Sequence, residues 1–167
     1  VVSQNNLSSD LGLEILNMGG NAVDAAVAVG FSLAVTLPRA GNLGGGGFML
    51  VYLEENKEIF YIDYRSKSPL NSNLENIFEI INNTGESFTT VPQDFNYDLF
   101  DVLDEGYKAS ALPGTVAGLL EAHARFGKLT LKEILSPVIK QARDGIAVSY
   151  DLHKAIESTP RLLKDPE

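Results

Sequence analysis

The 167-residue sequence contains no cysteine. This absence excludes disulfide bonds, thiolate catalysis and every metal site that depends on cysteine ligands, and it leaves the cellular compartment open. A long apolar run is also missing. The most apolar run, 22–37, covers about 16 residues and is interrupted by Asp24, whereas a helix that crosses a bilayer needs roughly 20 residues. The sequence therefore predicts no membrane span in this chain.

Positive charge is scarce, and one segment has none at all. The sequence has 13 Lys and Arg against 22 Asp and Glu, which gives a formal net charge of −9. Between Lys67 and Lys108 there is no basic residue and there are eight acidic ones. The other 14 acids are nearly balanced by the 13 bases, so the acidity belongs to an excursion at about 70–107. This distribution offers no broad basic surface, and we expect no nucleic-acid partner.

Hydrophobic periodicity predicts two helices, a β-hairpin and three further helices, within a length that suits roughly one domain of about 150 residues. The expected helices cover 7–18, 22–35, 113–126, 131–143 and 151–157, and the expected strands cover 48–53 and 58–65. Residues on both faces of the hairpin are largely apolar. Because side chains alternate between the two faces of a strand, we expect the hairpin to lie between two layers.

A tract of four glycines, Gly44–Gly47, stands between the second helix and the first strand. A phosphate-binding loop does not fit, because a P-loop continues with Lys and Ser or Thr and a dinucleotide-binding loop has its strand before the glycines. Two interpretations stay open. The tract allows either a very close approach of the backbone to another backbone or a ligand, or tight packing at the start of a strand.

Arg65 ends the second predicted strand, just before the chain breaker at Pro69. Its guanidinium is either an anchor for the carboxylate of a substrate or the partner of Asp63, which lies two residues earlier on the same face. The residues alone favour the pair with Asp63, although a rigid strand end suits a bidentate carboxylate contact.

The remaining chemistry-bearing residues indicate no metal site and no catalytic nucleophile in this chain. His123 and His153 lie in helical patterns among polar neighbours, and there is no cysteine beside them. Thr89 and Thr90 form the only threonine pair, inside the acidic excursion. A nucleophilic threonine must be N-terminal so that its own amine serves as the base, and nothing suggests a cleavage at this point.

Five blocks of the sequence point to a known family. They are Gly19–Ala28, Gly41–Phe48, Ile62–Arg65, Pro113–Gly118 and Ala142–Gly145. In these residues and in this order, the chain strongly resembles the start of the gamma-glutamyltranspeptidase family. The resemblance covers nearly the whole chain except about 70–107.

This resemblance implies an α+β fold of the N-terminal-nucleophile hydrolase type, a four-layer αββα sandwich, in which residues 1–167 form the N-terminal part of the large subunit. It implies a precursor that cleaves itself into two subunits that stay together. The N-terminal Thr of the small subunit then attacks the gamma-glutamyl amide of glutathione or a similar donor, and water or an amino-acid or peptide acceptor resolves the acyl-enzyme. The implied enzyme is a gamma-glutamyltransferase or glutathione hydrolase that needs no cofactor. The present chain, without the nucleophile, is expected to be inactive alone.

The resemblance carries one site residue over to this chain, and it assigns no catalytic residue and no metal ligand here. Arg65 matches the family arginine that binds the α-carboxylate of the gamma-glutamyl group, which favours the anchor over the pair with Asp63. Gly44–Gly47 look like a structural element beside the site. Ser66 departs from the glutamate that often follows this arginine.

Alternative functions stay within reach of the same resemblance. They are a related acylase, a poly-gamma-glutamate depolymerase and a non-catalytic scaffold homologue. The resemblance also suggests a periplasmic or extracellular location.

Overall fold

The computed structural model describes residues 1–70 and 110–159, which form a mixed helical and stranded structure. Its elements are α1 (Asn6–Asn17), α2 (Ala22–Thr36), β1 (Phe48–Leu53), β2 (Glu58–Asp63), α3 (Thr115–Phe126), α4 (Leu131–Asp144) and α5 (Tyr150–Glu157). This order confirms the predicted helices and the hairpin. Nearly all of the acidic excursion and both residues of the threonine pair lie outside the described residues. No helix in the described part is long and apolar enough to span a bilayer.

Helix α2 forms the centre of the helical packing, as its composition of small apolar residues predicts. It packs against α1, α3 and α4, and Val27 and Ala28 are completely buried. Small side chains allow these neighbours to come close. A Cβ on Gly30 would lie only 2.9 Å from a methyl carbon of Leu119 on α3, so a side chain at that position would require Leu119 to shift.

The apolar stripe of α1 is narrower than the sequence predicts. Leu11 and Ile15 are buried against the other helices, but Leu7 is 44% and Met18 is 45% exposed in the described structure. The helix begins at Asn6, where the side chain of Asn5 accepts a hydrogen bond from the amide of Leu7 at 2.9 Å and caps the first turn. The buried contact is therefore made by the middle of the stripe alone.

Buried hydroxyl groups join α1, α2 and α4. Ser8 on α1 lies 2.8 Å from the hydroxyl oxygens of both Ser32 and Thr36 on α2. Ser32 in turn donates to the side-chain oxygen of Gln141 on α4 at 2.6 Å. Ser8 and Ser32 are completely inaccessible to solvent, and each hydroxyl finds its partner within this chain of contacts. Burial of these polar groups is therefore compensated.

The hairpin of β1 and β2 is antiparallel, with Met49 opposite Ile62 and Val51 opposite Phe60. One face packs on the helices, where Val51 and Ile62 are buried and the ring of Phe60 lies 5.0 Å from that of Phe126 at the end of α3. The other face is apolar but exposed in the described structure. Its members are Phe48, Leu50, Tyr52, Ile59 and Tyr61. A position of the hairpin between two layers requires another layer to pack on this second face, and that position stays a prediction.

Strand β2 ends at Asp63, two residues before the predicted end. The pairing with the preceding segment nevertheless continues by one residue, because Tyr64 and Gly47 exchange backbone hydrogen bonds of 3.0 and 3.3 Å. Beyond this point the chain pairs with a different segment. Lys67 and Leu112 form an isolated antiparallel bridge, so Arg65 lies where the backbone passes from one partner to the other.

The carboxylate of Asp24 connects α2 to the turn between α3 and α4. It is completely buried and accepts hydrogen bonds from the backbone amides of Asn21 at 2.9 Å, Lys128 at 3.0 Å and Leu129 at 3.2 Å. The side chain of Asn21 donates to the carbonyl oxygen of Phe126 at 2.6 Å. The residue that interrupts the apolar run in the sequence is therefore a buried acceptor for otherwise unpaired backbone amides.

Candidate functional site

Arg65 is exposed at the end of the hairpin, and its predicted pair with Asp63 does not form as an ion pair. The carboxylate of Asp63 accepts a hydrogen bond from the backbone amide of Arg65 at 3.0 Å. The guanidinium Nη1 instead donates to the hydroxyl oxygen of Ser66 at 3.1 Å. Of the ion pairs found among residues 1–70 and 110–159, none includes Arg65. The aspartate thus holds the backbone and leaves the guanidinium able to bind an anion.

A cavity of about 370 Å³ adjoins Arg65, a volume that falls in the range of small-molecule sites. Its walls are the end of β2, the segment 112–114 and the first two turns of α3. Arg65 and Lys67 contribute positive charge to this lining, and Asp63 and Glu121 contribute negative charge. An arrangement of both signs suits a ligand that carries an ammonium group beside a carboxylate.

Lys67 and Glu121 were not singled out from the sequence, although a signal for each is present. Lys67 follows Arg65 by two residues in an extended segment, and residues with this spacing share a face. Gly114, Gly118 and Glu121 are spaced by four and three residues, which places them on one side of α3. All of these residues line the cavity.

Tyr64 stands directly before Arg65 and is half-buried. Burial raises the pKa of its phenol above the ordinary value, because the charged phenolate loses hydration in such a place. The ring therefore stays neutral at physiological pH, and Tyr64 contributes no negative charge beside the guanidinium.

The glycine tract allows one backbone to approach another very closely, which is the first of the two interpretations left open by the sequence. The carbonyl oxygen of Gly45 accepts hydrogen bonds from the backbone amides of Gly114 at 2.8 Å and Thr115 at 3.1 Å. These amides begin α3 and have no partner within the helix. A Cβ on Gly46 would overlap the amide nitrogen of Ser66. The tract thus connects the start of α3 to the segment that carries Arg65.

The two histidines lie apart from the Arg65 cavity. His123 Nε2 is 2.8 Å from the carbonyl oxygen of Leu129, a contact within the turn after α3. His153 on α5 lies 3.6 Å from Glu157, one turn along the same helix. In the part of the chain that the structure describes, no cluster of three or more histidine, aspartate or glutamate side chains is arranged to hold a metal ion.

Comparison with known proteins places this geometry in a class. A structure of gamma-glutamyltranspeptidase from Pseudomonas nitroreducens in complex with L-DON aligns with a TM-score of 0.81 and 37% identity, covering 100% of this chain and 45% of that one. A glutathione hydrolase proenzyme from Pseudomonas aeruginosa is 40% identical over 149 residues, which is 89% of this chain and 24% of the relative. The fold is therefore that of the N-terminal-nucleophile hydrolases, in the part that this chain covers.

The family follows from the match along the sequence. The family model described as gamma-glutamyltranspeptidase matches residues 8–167. The chain belongs to the gamma-glutamyltranspeptidase family. An acylase ACY 1 proenzyme from a Pseudomonas species is also 36% identical over 99% of this chain and 28% of its own length. The chain thus spans about a quarter of the length of these curated relatives.

Proposed function

We propose that this chain is the N-terminal part of the large subunit of a glutathione hydrolase and gamma-glutamyltransferase. The enzyme would cleave the gamma-glutamyl amide of glutathione and transfer the acyl group to water or to an amino-acid or peptide acceptor. Family membership and the names of the curated relatives support this assignment. The observation that carries it is the guanidinium of Arg65, exposed at a cavity and free of any carboxylate within the described residues.

In this proposal Arg65 binds the α-carboxylate of the gamma-glutamyl group. A guanidinium presents two parallel N–H donors that match the two oxygens of a carboxylate, and such charge-assisted bonds are roughly twice as strong as neutral ones. The hydroxyl of Ser66 occupies one donor at Nη1, and the remaining donors are available to the substrate. Binding at this end places the gamma-amide at a fixed distance from the guanidinium.

The bond-making group comes from elsewhere in the protein. The N-terminal Thr of a small subunit, released from the same precursor, attacks the gamma-carbonyl carbon while its own amine takes the hydroxyl proton. The amide C–N bond breaks, cysteinylglycine leaves with a proton, and the acyl-enzyme ester is opened by water or by the acceptor amine. This chain contributes substrate binding and structural support to those steps. The enzyme is proposed to act in the periplasm or outside the cell.

A second candidate is an acylase of the same family, favoured by the 36% identity to an acylase proenzyme over almost the whole chain. Ser66, which replaces the glutamate often found there in the family, is consistent with a changed pocket. The two candidates differ in the acyl donor. A transferase acting on glutathione takes a donor with an α-carboxylate and an α-amine, whereas an acylase that accepts a plain dicarboxylic acyl group needs no α-amine.

Replacement of Arg65 tests the proposal in the full-length, self-cleaved protein. We expect Arg65→Ala to lower kcat/KM for gamma-glutamyl-p-nitroanilide by about 100-fold or more, because a charged hydrogen-bonding partner of the substrate is lost. Self-cleavage, followed by the appearance of two subunits on a gel, should be unchanged. Arg39→Ala, in the exposed turn after α2, is the matched control and should keep the parental activity.

Two substrate analogues sharpen this test and separate the two candidates. For 4-aminobutyryl-p-nitroanilide, which keeps the amine but lacks the α-carboxylate, Arg65→Ala should cause little further loss if the arginine binds that carboxylate. Equal turnover of the gamma-glutamyl substrate by the parent protein and by Arg65→Ala would remove the anchor role. Turnover by the parent protein of glutaryl-p-nitroanilide, which keeps the carboxylate but lacks the α-amine, without turnover of the gamma-glutamyl substrate would favour the acylase.

A further inference from the structure

The three residues centred on Arg65 pass through a space that only glycine leaves open. A Cβ on Gly46 would lie 2.5 Å from the carbonyl oxygen of Tyr64 and 2.8 Å from the carbonyl carbon of Arg65. A Cβ on Gly114, at the start of α3, would overlap the same carbonyl oxygen of Tyr64. Real Cβ atoms do not approach backbone atoms this closely. The backbone around Arg65 is therefore enclosed from two sides by segments far apart in the sequence.

The ring of Tyr64 is held in the same way. A Cβ on Gly118, one turn into α3, would overlap the Cβ and Cγ atoms of Tyr64. On another side, a Cβ on Gly47 would lie 2.8 Å from Cε2 and 3.1 Å from the hydroxyl oxygen of the ring. The side chain next to Arg65 thus rests against two glycines and has little freedom to change its rotamer.

Backbone hydrogen bonds fix the segment on both sides of Arg65. Tyr64 exchanges two bonds with Gly47, and Lys67 exchanges two bonds of 3.1 and 2.8 Å with Leu112. The amide of Arg65 itself is bound by the carboxylate of Asp63. The Cα of Arg65 is thereby fixed between two paired residues, although its side chain projects from the surface.

We propose that Gly46, Gly47, Gly114 and Gly118 are positioning residues, which set the place of the Arg65 guanidinium by allowing the backbone and ring of its neighbours to lie against them. This inference rests on the proposed function, because it concerns the binding of the donor carboxylate. A bidentate contact depends on angle as well as distance, and a fixed arginine loses less freedom when the substrate binds. The glycines then contribute to donor affinity without touching the donor.

The neighbouring glycines Gly45 and Gly46 give a matched pair of variants. A Cβ on Gly45 would make only ordinary contacts, 3.5 Å or more from its nearest atoms, whereas Gly46→Ala displaces the Arg65 segment. In the full-length, self-cleaved protein, we expect Gly46→Ala to raise KM for gamma-glutamyl-p-nitroanilide on the order of tenfold, since a misplacement of about 1 Å has effects of this size or larger. Gly45→Ala should leave KM unchanged. A loss confined to substrate binding leaves kcat nearly constant.

A milder variant covers the case in which Gly46→Ala does not mature. Gly47→Ala meets only the outer atoms of the Tyr64 ring, at 2.8 Å and beyond. A small shift of the ring within its rotamer relieves this contact, and we expect the variant to raise KM by about threefold. In a Tyr64→Leu background those outer atoms are gone. Gly47→Ala should then have no additional effect on KM, because the coupling between contacting residues disappears when one partner is removed.

Two results would overturn the inference. One is the same KM in the Gly45→Ala, Gly46→Ala and Gly47→Ala variants. The other is a lower Tm and a lower kcat with KM unchanged, which would mark the glycines as purely structural. An Arg65→Ala variant measured alongside keeps the two proposals apart. If it leaves KM unchanged, the proposed anchor fails; if it raises KM while Gly46→Ala and Gly47→Ala do not, the positioning role alone fails.

Discussion

Two helices of this protein begin with the same hydrogen-bonding motif in opposite surroundings. At α2, Asn21 and Asp24 form a capping box, and at α4, Thr130 and Glu133 form another. Asp24 is completely buried and also binds the turn between α3 and α4. Glu133 is exposed, and its bonds stay within its own box. The same local motif therefore joins distant parts of the chain at α2, whereas at α4 it only caps the helix.

The largest expected effect is at the buried box. Asp24→Ala removes the buried acceptor shared by the amides of Asn21, Lys128 and Leu129. A hydrogen bond to a charged group contributes about 1.5–3 kcal/mol, so we expect a loss of about 3 kcal/mol or more in the free energy of unfolding. A strongly lowered Tm of the full-length protein would show it.

Asp10→Ala, an exposed aspartate on α1, is the control for this variant. It should change the Tm very little, since substitutions at exposed positions outside special contacts stay within about 0.5 kcal/mol. Similar Tm values for the two variants would mean that the buried carboxylate of Asp24 does not stabilise the fold.

An intermediate effect is expected for Asn21→Ala. Its side chain caps the amides of Val23 and Asp24 and also donates to the carbonyl of Phe126. Loss of an N-cap typically costs about 1 kcal/mol, and the lost bond to Phe126 adds to this. Asn17→Ala, at the exposed end of α1, provides the comparison. A Tm of Asn21→Ala that matches the Asn17→Ala control would remove the long-range part of the argument.

The smallest effect belongs to Glu133, and it depends on pH. Hydrogen bonds from the hydroxyl and the amide of Thr130 lower the pKa of Glu133 below its ordinary value of 4.5. A depressed folded-state pKa adds stability above the unfolded pKa, and that stability is lost as the pH falls through the folded pKa. The Tm difference between the parent and Glu133→Ala should therefore be small at neutral pH and vanish in acid. An exposed glutamate of the hairpin turn, Glu55, serves as the control.

The sequence predicted the secondary structure well because its signals are local. Gly19, Pro38 and Gly127 each follow the end of a helix by one or two residues. Each predicted helix is present, and its ends differ from the predicted ones by at most two residues. The proposed anchor role of Arg65 came from the family resemblance and not from the neighbouring residues, and it stays a prediction. The pair with Asp63 that spacing alone favoured was wrong as an ion pair, because that carboxylate binds a backbone amide instead.

What escaped prediction depends on residues that meet only in the folded chain. Asp24 binds amides 104 and 105 positions away, and nothing in the local pattern around an apolar helix announces such a partner. The same holds for Tyr64 and Gly118, whose contact depends on how α3 packs beside β2. The glycine tract indicates that some group packs closely against it. Which backbone segment and which ring pack there is decided only by the tertiary structure.

The buried hydroxyls of Ser8, Ser32 and Thr36 disfavour alternative alignments of α1 along α2. Apolar helices rich in alanine and valine pack almost equally well when one slides along another, because their surfaces are smooth. A slide of α1 by one turn, about 5.4 Å, would separate Ser8 from at least one of its two partners, because Ser32 and Thr36 are themselves one turn apart on α2. The buried hydrogen bonds between these hydroxyls therefore specify one alignment among several that hydrophobic packing alone would allow.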